Sequence, residues 1–409
     1  MQKIYQGREN IDKEKFIYEH TEGEILVIVP NQYTLVAEEQ ALKYLNTSCL
    51  LNVEILSMNR LGLRMLQEQG TDNVRMLDRY ERYMLLARII RNREKQLDIF
   101  RTSAGKRNFV EMVHDFIADF RQQECTREEL EEILADPETD ELLRKKIREL
   151  SGILEEYESL VQGKYKDVED YVDLYTDAIG KSRELAGKTV WVYGFDSMTA
   201  KFVRSLTEIA GVARNVYVMV NETDFGLEDV LIRSIRRSAE EKGLKVSVET
   251  LTGDVLEKSE TLKRIEQGLF TQSDKTKIAS ADFRPADLQV VECANLYNEA
   301  ENAAIQVYNL LHRGYRMKDI VIICNDTEKM QPIVERTFRE YGLPLFRDAR
   351  RSIRDSQVVG FVMNLLEICS GGYRTPAVMA LLKSGLTGLE REAIWNLENY
   401  ARDFGIKGS

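Results

Sequence analysis

Short, wholly apolar runs alternate along this chain with segments in which apolar residues recur every three or four positions. Ile25-Leu-Val-Ile-Val29 is apolar for five residues and is closed by Pro30, which cannot extend a ladder. A run of this length with no polar alternation predicts a strand buried on both faces of a parallel sheet. The residues before it form a short polar opening. Residues 53–56, 189–193, 216–220 and, more weakly, 244–248 predict further strands. Helical spacing fills the intervals at 35–45, 61–69 (stopped by Gly70), 199–209 and 227–241. Strand–helix alternation of this kind is the rhythm of an α/β domain.

That rhythm is interrupted once. From Arg79 to about residue 160 strand signals vanish, and Met84, Leu85, Ile89 and Ile90, then Phe109, Val113, Phe116, Ile117 and Phe120, recur at helical spacing. We read 79–182 as an all-helical insertion between two parts of one α/β domain, 1–78 and 183–286. Residues 250–285 read as a polar surface helix plus loop. The rhythm restarts near Asp287, with strands expected at 288–293 and 320–323 and helices at 300–311, 330–341, 358–368 and 376–382. Residues 287–409 are therefore expected to begin a second α/β domain.

Composition narrows the function. The 57 Lys+Arg against 68 Asp+Glu leave a formal charge of −11, which argues against a protein that simply coats nucleic acid while leaving room for a local basic channel. No stretch reaches the ~18 apolar residues a bilayer span needs, and Gln2, Lys3 and Gln6 exclude a secretory h-region at the start. We expect no membrane partner. The 5 cysteines are far apart with no CxxC pair, so a local zinc or iron–sulfur signature is missing and an odd count fits a reducing, cytoplasmic setting. With 3 histidines, imidazole chemistry is thinly supplied.

The candidate chemistry lies in four places. A phosphate loop, G-x-x-x-x-G-K-[ST], joins a first strand to a first helix; its glycines let backbone amides wrap the phosphates, its lysine reaches them and its hydroxyl holds Mg²⁺. Counting from Gly7 and Arg8, Asp12 stands where the second glycine belongs, Lys13 keeps the lysine and Glu14 replaces the hydroxyl. The reading is a vestige or an ordinary βα turn, with nucleotide binding as the alternative. Asp196, in Gly194-Phe-Asp-Ser197 after a strand, is placed to order its loop, with Ser197 or Thr199 capping the next helix, to meet a metal–nucleotide complex, or to contact a substrate or partner. Asp167, Glu169, Asp170, Asp173 and Asp177 form an acidic run that we read as a solvated helix face. For nucleic acid, Ser57, Asn59 and Arg60 follow the second strand, with Arg64 one turn on. Arg347, Arg350, Arg351 and Arg354 form the densest basic stretch.

Several phrases then form a set: Val27-Ile-Val-Pro-Asn-Gln-Tyr-Thr-Leu-Val-Ala-Glu-Glu-Gln40, Ile55-Leu-Ser-Met-Asn-Arg-Leu61, Val192-Tyr-Gly-Phe-Asp-Ser197, Arg339-Glu-Tyr-Gly-Leu-Pro-Leu-Phe-Arg-Asp348 and Leu381-Leu-Lys-Ser-Gly-Leu386. In this order they resemble the B subunit of the bacterial ATP-dependent helicase/exonuclease AddAB, also called RexAB. The resemblance runs from Lys3 to the end. It implies a superfamily 1 helicase-like fold with RecA-type domains: 1A at 1–78 and 183–286, 1B at 79–182, and the start of 2A, with helical 2B beginning, at 287–409. The family's phosphate loop is close to G-R-A-G-S-G-K-[ST]; Gly7, Arg8 and Lys13 match it, and Asp12 and Glu14 depart.

The resemblance also implies an AddA-type motor subunit as heterodimer partner, single-stranded or forked DNA as substrate, and a role in double-strand-break repair by recombination. It assigns no catalytic residue here and leaves no firm cofactor, ATP with Mg²⁺ being held open at the divergent loop. The family's iron–sulfur cluster and nuclease metal belong to a C-terminal region that this sequence does not contain. A fragment or truncated product is expected, acting as a non-motor scaffold that handles DNA. Two alternatives stand beside it: a nucleotide-dependent enzyme using Lys13 and Asp196, and a decayed helicase fold serving as a protein-binding adaptor.

Overall fold

A computed structural model describes residues 2–8, 11–20, 23–70, 76–221, 230–251, 258–268, 287–346, 353 and 355–408, with the side chains of 266–268 and 328 excepted. It divides into two compact units, 1–289 and 290–409.

The first unit begins with β1 (Gln2–Gly7), α1 (Lys13–Glu19), β2 (Ile25–Ile28), α2 (Thr34–Tyr44), β3 (Val53–Leu56) and α3 (Met58–Glu68). Five helices follow: α4 (Arg79–Arg93), α5 (Arg107–Gln122), α6 (Arg127–Ala135), α7 (Glu141–Val161) and α8 (Val168–Ile179). The unit then returns to β4 (Thr189–Val192), α9 (Ala200–Val212), β5 (Asn215–Asn221), α10 (Val230–Glu241), β6 (Val246–Thr250) and α11 (Glu260–Gly268). The six strands form one all-parallel sheet in the order β3-β2-β4-β5-β1-β6.

The apolar runs explain the centre of that order. Every residue of β2 and β4 is buried, and Val27 lies between Ile55 and Trp191 in register. Side chains alternate between two faces. Ile4, Ile28, Val190, Val192 and Val218 pack on one with α3, α8, α9 and α10. Val27, Val29, Trp191 and Tyr193 pack on the other with α1 and α2. Complete burial of a side chain this size contributes about 1.5–3 kcal/mol, so two such faces are the principal stabilising element of the unit.

β1 is a correction to the polar opening read from the sequence. Gln2, Lys3 and Gln6 hide the pattern, yet Ile4 is fully buried and the strand sits between β5 and β6. Lys3 pairs with Glu249 of β6 at 2.6 Å and lies over the Tyr5 ring.

The helices between β3 and β4 have their own core, formed by Leu86, Ile89 and Ile90 of α4, Val113 and Ile117 of α5, and Ile153, Leu154 and Tyr157 of α7. α8 belongs instead to the sheet: Tyr175, Ala178 and Ile179 join the core with α3 and α9. Gly62 of α3 makes this possible, because a Cβ there would lie 2.5 Å from the Tyr175 ring.

The second unit contains α12 (Leu296–His312), α13 (Thr327–Glu340), α14 (Gln357–Gly371), α15 (Thr375–Leu382) and α16 (Arg391–Asp403). Ala300, Ala304 and Val307 of α12 pack on Val334 and Phe338 of α13. The strands expected at 288–293 and 320–323 form no ladder among the described residues. Val290 and Ile323 are 92% and 88% exposed. Strand chemistry without neighbouring strands leaves backbone groups unpaired, and a ladder does not form from one run alone. The expected second α/β domain is therefore represented here by helices.

Candidate functional site

In an open parallel sheet, ligands settle beyond the carboxyl ends of neighbouring strands whose onward connections run in opposite directions. Here β2 leads outward to β3 on one side, and its neighbour β4 leads to β5 on the other. A cleft of about 540 Å³ opens at that place, lined by Lys13 and Glu14 after β1, Tyr33 after β2, Tyr193 and Asp196 at and after β4, and Asn221 at the end of β5. The structure thus brings Lys13 and Asp196 to one cleft.

The loop residues have other partners than phosphate. Asp12 caps α1, and its carboxylate accepts the Lys15 amide at 3.0 Å. That amide is of the kind a phosphate loop offers to its ligand, and here the chain's own acid takes it. The second Asp12 oxygen accepts the Tyr44 hydroxyl at 2.5 Å. Burial, then this hydrogen bond, pushes the Tyr44 phenol above its ordinary pKa. Glu14, in the place of the metal-binding hydroxyl, accepts the Tyr33 hydroxyl at 2.7 Å. Lys13 donates to the side-chain oxygen of Asn221.

Gly7 has a packing reason to be glycine. A Cβ there would stand 2.7 Å from the Cβ of buried Leu251, whose amide donates to the Gln6 carbonyl at 2.7 Å. Arg8 closes a tight turn, its carbonyl accepting the Ile11 amide at 3.2 Å. Gly194 has φ of +82°, a left-handed conformation that turns the chain into the cleft wall. Beyond it Asp196 is exposed, without a side-chain hydrogen bond or ion pair among the described residues. Thr199, not Ser197, caps α9, accepting the Phe202 amide at 3.3 Å.

Behind the cleft lies an aromatic layer. Tyr33 and Tyr193 meet edge to face with centroids 5.9 Å apart. The buried hydroxyls of Tyr193 and Tyr18 have no hydrogen-bond partner among the described residues. Burial raises the pKa of both phenols, and Glu14 nearby raises them further, so both are neutral.

The residues expected to meet nucleic acid separate. Ser57 is buried and caps α3, accepting the Arg60 amide at 3.4 Å, so its hydroxyl is not presented to a ligand. Asn59 and Arg60 are exposed on the first turn of α3, where Arg60 has no ion pair among the described residues. Arg64 is taken up by Glu54 and Glu184, which Lys188 joins at 3.4 and 3.2 Å. Arg347, Arg350, Arg351 and Arg354 lie outside the described residues.

The acidic run of α8 is corrected from a solvated face to a buried ionic network; of its five members Asp177 alone is on an exposed surface. Asp167 and Glu169 are 1% and 4% exposed. Arg121 bonds both Asp167 and Asp170, and Arg82 reaches Glu169 at 3.4 Å. Lys201, itself buried, binds Asp173 at 2.6 Å and the Glu169 carbonyl at 2.9 Å, and Arg204 joins Asp173. Sequence reasoning missed these basic partners, as it missed Tyr33, Tyr44 and Asn221. Only the acids four and three apart on one helix were legible. Among the described residues no group of His, Cys, Asp and Glu could hold a metal ion, and no helix is long and apolar enough to cross a membrane.

Sheet and helical insertion together are consistent with a RecA-type domain of the helicase superfamilies. The model of the family described as "ADDB, N-terminal" matches residues 7–266, and the chain belongs to that family. It is similar to the B subunit of the ATP-dependent helicase/deoxyribonuclease of Alkaliphilus metalliredigens, with 28% identity over 99% of this chain and 36% of the relative. The proteins of the same name from Alkaliphilus oremlandii and Acetivibrio thermocellus are 28% and 27% identical, each over 98% of this chain and 37% of the relative. The chain thus spans little more than a third of the length of these curated relatives.

Proposed function

We propose that this chain is a nucleotide-independent scaffold from the B subunit of an ATP-dependent helicase/deoxyribonuclease. It works beside an AddA-type motor subunit and handles single-stranded or forked DNA in double-strand-break repair. In this reading the sheet with its flanking helices is domain 1A (1–78 and 183–286), residues 79–182 are 1B, and 287–409 begin 2A. One observation carries the non-motor part. The carboxylates of Asp12 and Glu14 stand where the loop would offer an amide and a hydroxyl to a magnesium–nucleotide complex. Two like charges beside a triphosphate oppose its binding, and Lys13 is already engaged with Asn221.

The test is calorimetry and thermal unfolding of the purified chain with MgATP. No heat and no shift in Tm is expected, since a ligand that binds only the folded state must raise Tm. ATP hydrolysis that DNA stimulates and Lys13→Ala abolishes would overturn the reading. Fluorescence anisotropy against forked DNA across a salt series tests the DNA-handling part. Binding that weakens steeply with salt, and further in Arg60→Glu, is the expected outcome.

A further inference from the structure

A pocket built for phosphate converges hydrogen-bond donors. This cleft brings two carboxylates, Glu14 and Asp196, together with Lys13 and the amide side chains of Gln32 and Asn221. One Glu14 oxygen takes the Tyr33 hydroxyl, and the other, like both oxygens of Asp196, has no partner among the described residues. The Tyr193 hydroxyl, on a side chain 2% exposed, is buried without a partner beside Glu14, and Tyr18, 8% exposed, is in the same state. The charged lining residues are Glu14, Asp196 and Lys13, and the lysine is drawn toward Asn221 at the end of β5. Tyr33, Tyr193 and Phe195 supply aromatic walls.

We infer that this cleft receives an arginine side chain from a protein partner. A guanidinium brings about five N–H donors in one plane, reaches two carboxylates and a phenol oxygen at once, and stacks on aromatic rings. A lysine ammonium is too compact and too strongly hydrated to do all three. The volume of about 540 Å³ accommodates the side chain with its flanking backbone. Where a motor domain would hold an anion, this domain holds a cation, and the site becomes a point of attachment.

The experiment titrates the whole 409-residue chain by calorimetry at low salt with an acetylated, amidated pentapeptide, Gly-Ser-Arg-Ser-Gly. Its lysine counterpart and spermidine are run in parallel. Saturable binding of the arginine peptide, with the lysine peptide several-fold weaker, is expected. Asp196→Asn should weaken the arginine peptide about tenfold, the loss of one charge-assisted hydrogen bond. Because Asp196 is exposed and unbonded, this variant should keep the wild-type thermal transition. Tyr193→Phe, which removes a hydroxyl and no existing bond, should weaken binding by a smaller factor. The inference is overturned if the arginine peptide does not bind, if Asp196→Asn binds as well as wild type, or if lysine peptide or spermidine binds equally. None of these outcomes bears on nucleotide binding, which the MgATP titration decides separately.

Discussion

Two sets of carboxylates occupy the first unit, and they are stabilised in different ways. At the α1 corner, Asp12 and Glu14 accept hydrogen bonds from the neutral hydroxyls of Tyr44 and Tyr33. Along α8, Asp167, Glu169, Asp170 and Asp173 meet Arg82, Arg121, Lys201 and Arg204, and Arg204 also binds Glu124 at 2.5 Å. A phenol satisfies a carboxylate's lone pairs without cancelling its charge. The corner therefore keeps a negative potential facing an open cleft. The α8 network, in which every carboxylate meets a cation, locks the helical insertion to the helices on the sheet. Acids of the same kind keep their charge in one place and give cohesion in the other, and the charge of the partner decides which.

The comparison is broken most severely at Arg121. Arg121→Met leaves Asp167 buried without its cation and should destabilise the first unit by about 3–5 kcal/mol, measured by urea or thermal unfolding. The gap from wild type should narrow on acidification from about pH 7 to about pH 3. Burial works to raise the Asp170 pKa, but hydrogen bonds from the Asp167 amide and from Arg121 outweigh it and hold it below the usual range. A depressed carboxyl contributes stability above its unfolded pKa and loses it as pH falls through the folded value. Asp167, raised by burial, accepts a proton first, which relieves the variant.

At the corner the effects are smaller. Gly7→Ala forces a Cβ against Leu251 and should cost about 1–3 kcal/mol by overpacking, where a glycine kept only for a ligand would tolerate alanine. Tyr44→Phe should cost about 0.5–1.5 kcal/mol through its bond to Asp12, and Tyr33→Phe a similar amount, both read from thermal midpoints. A loss as large as that at Arg121 would mean that the corner, too, is chiefly structural. Smallest of all, Arg60→Glu should move stability by no more than about 0.5 kcal/mol, so any change in DNA binding reports contact and not folding.

Much of this architecture is written in local pattern. The strands β2, β4 and β5 follow from runs that are apolar almost throughout, and the insertion from helical spacing over 79–182, because periodicity is a property of neighbours in the chain. The same local chemistry is present at 288–293 and 320–323, yet no ladder forms there, since a strand exists only when another lies beside it. β1 fails in the opposite sense: its polar residues conceal a strand that the sheet pairs on both sides.

At the site, counting from Gly7 sets Asp12, Lys13 and Glu14 against the phosphate-loop pattern and shows the excess of negative charge there. What those residues touch was not legible. Glu14 and Tyr33 are 19 positions apart, Asp12 and Tyr44 are 32, and Lys13 and Asn221 are 208. The chain by itself determined the sheet's buried strands, the helical insertion and the altered loop, which depend on short-range pattern. Tertiary structure alone decided that the loop's acids are held by phenols and those of α8 by cations. Partner choice depends on which surfaces the parallel crossovers bring together, and that geometry spans the whole domain.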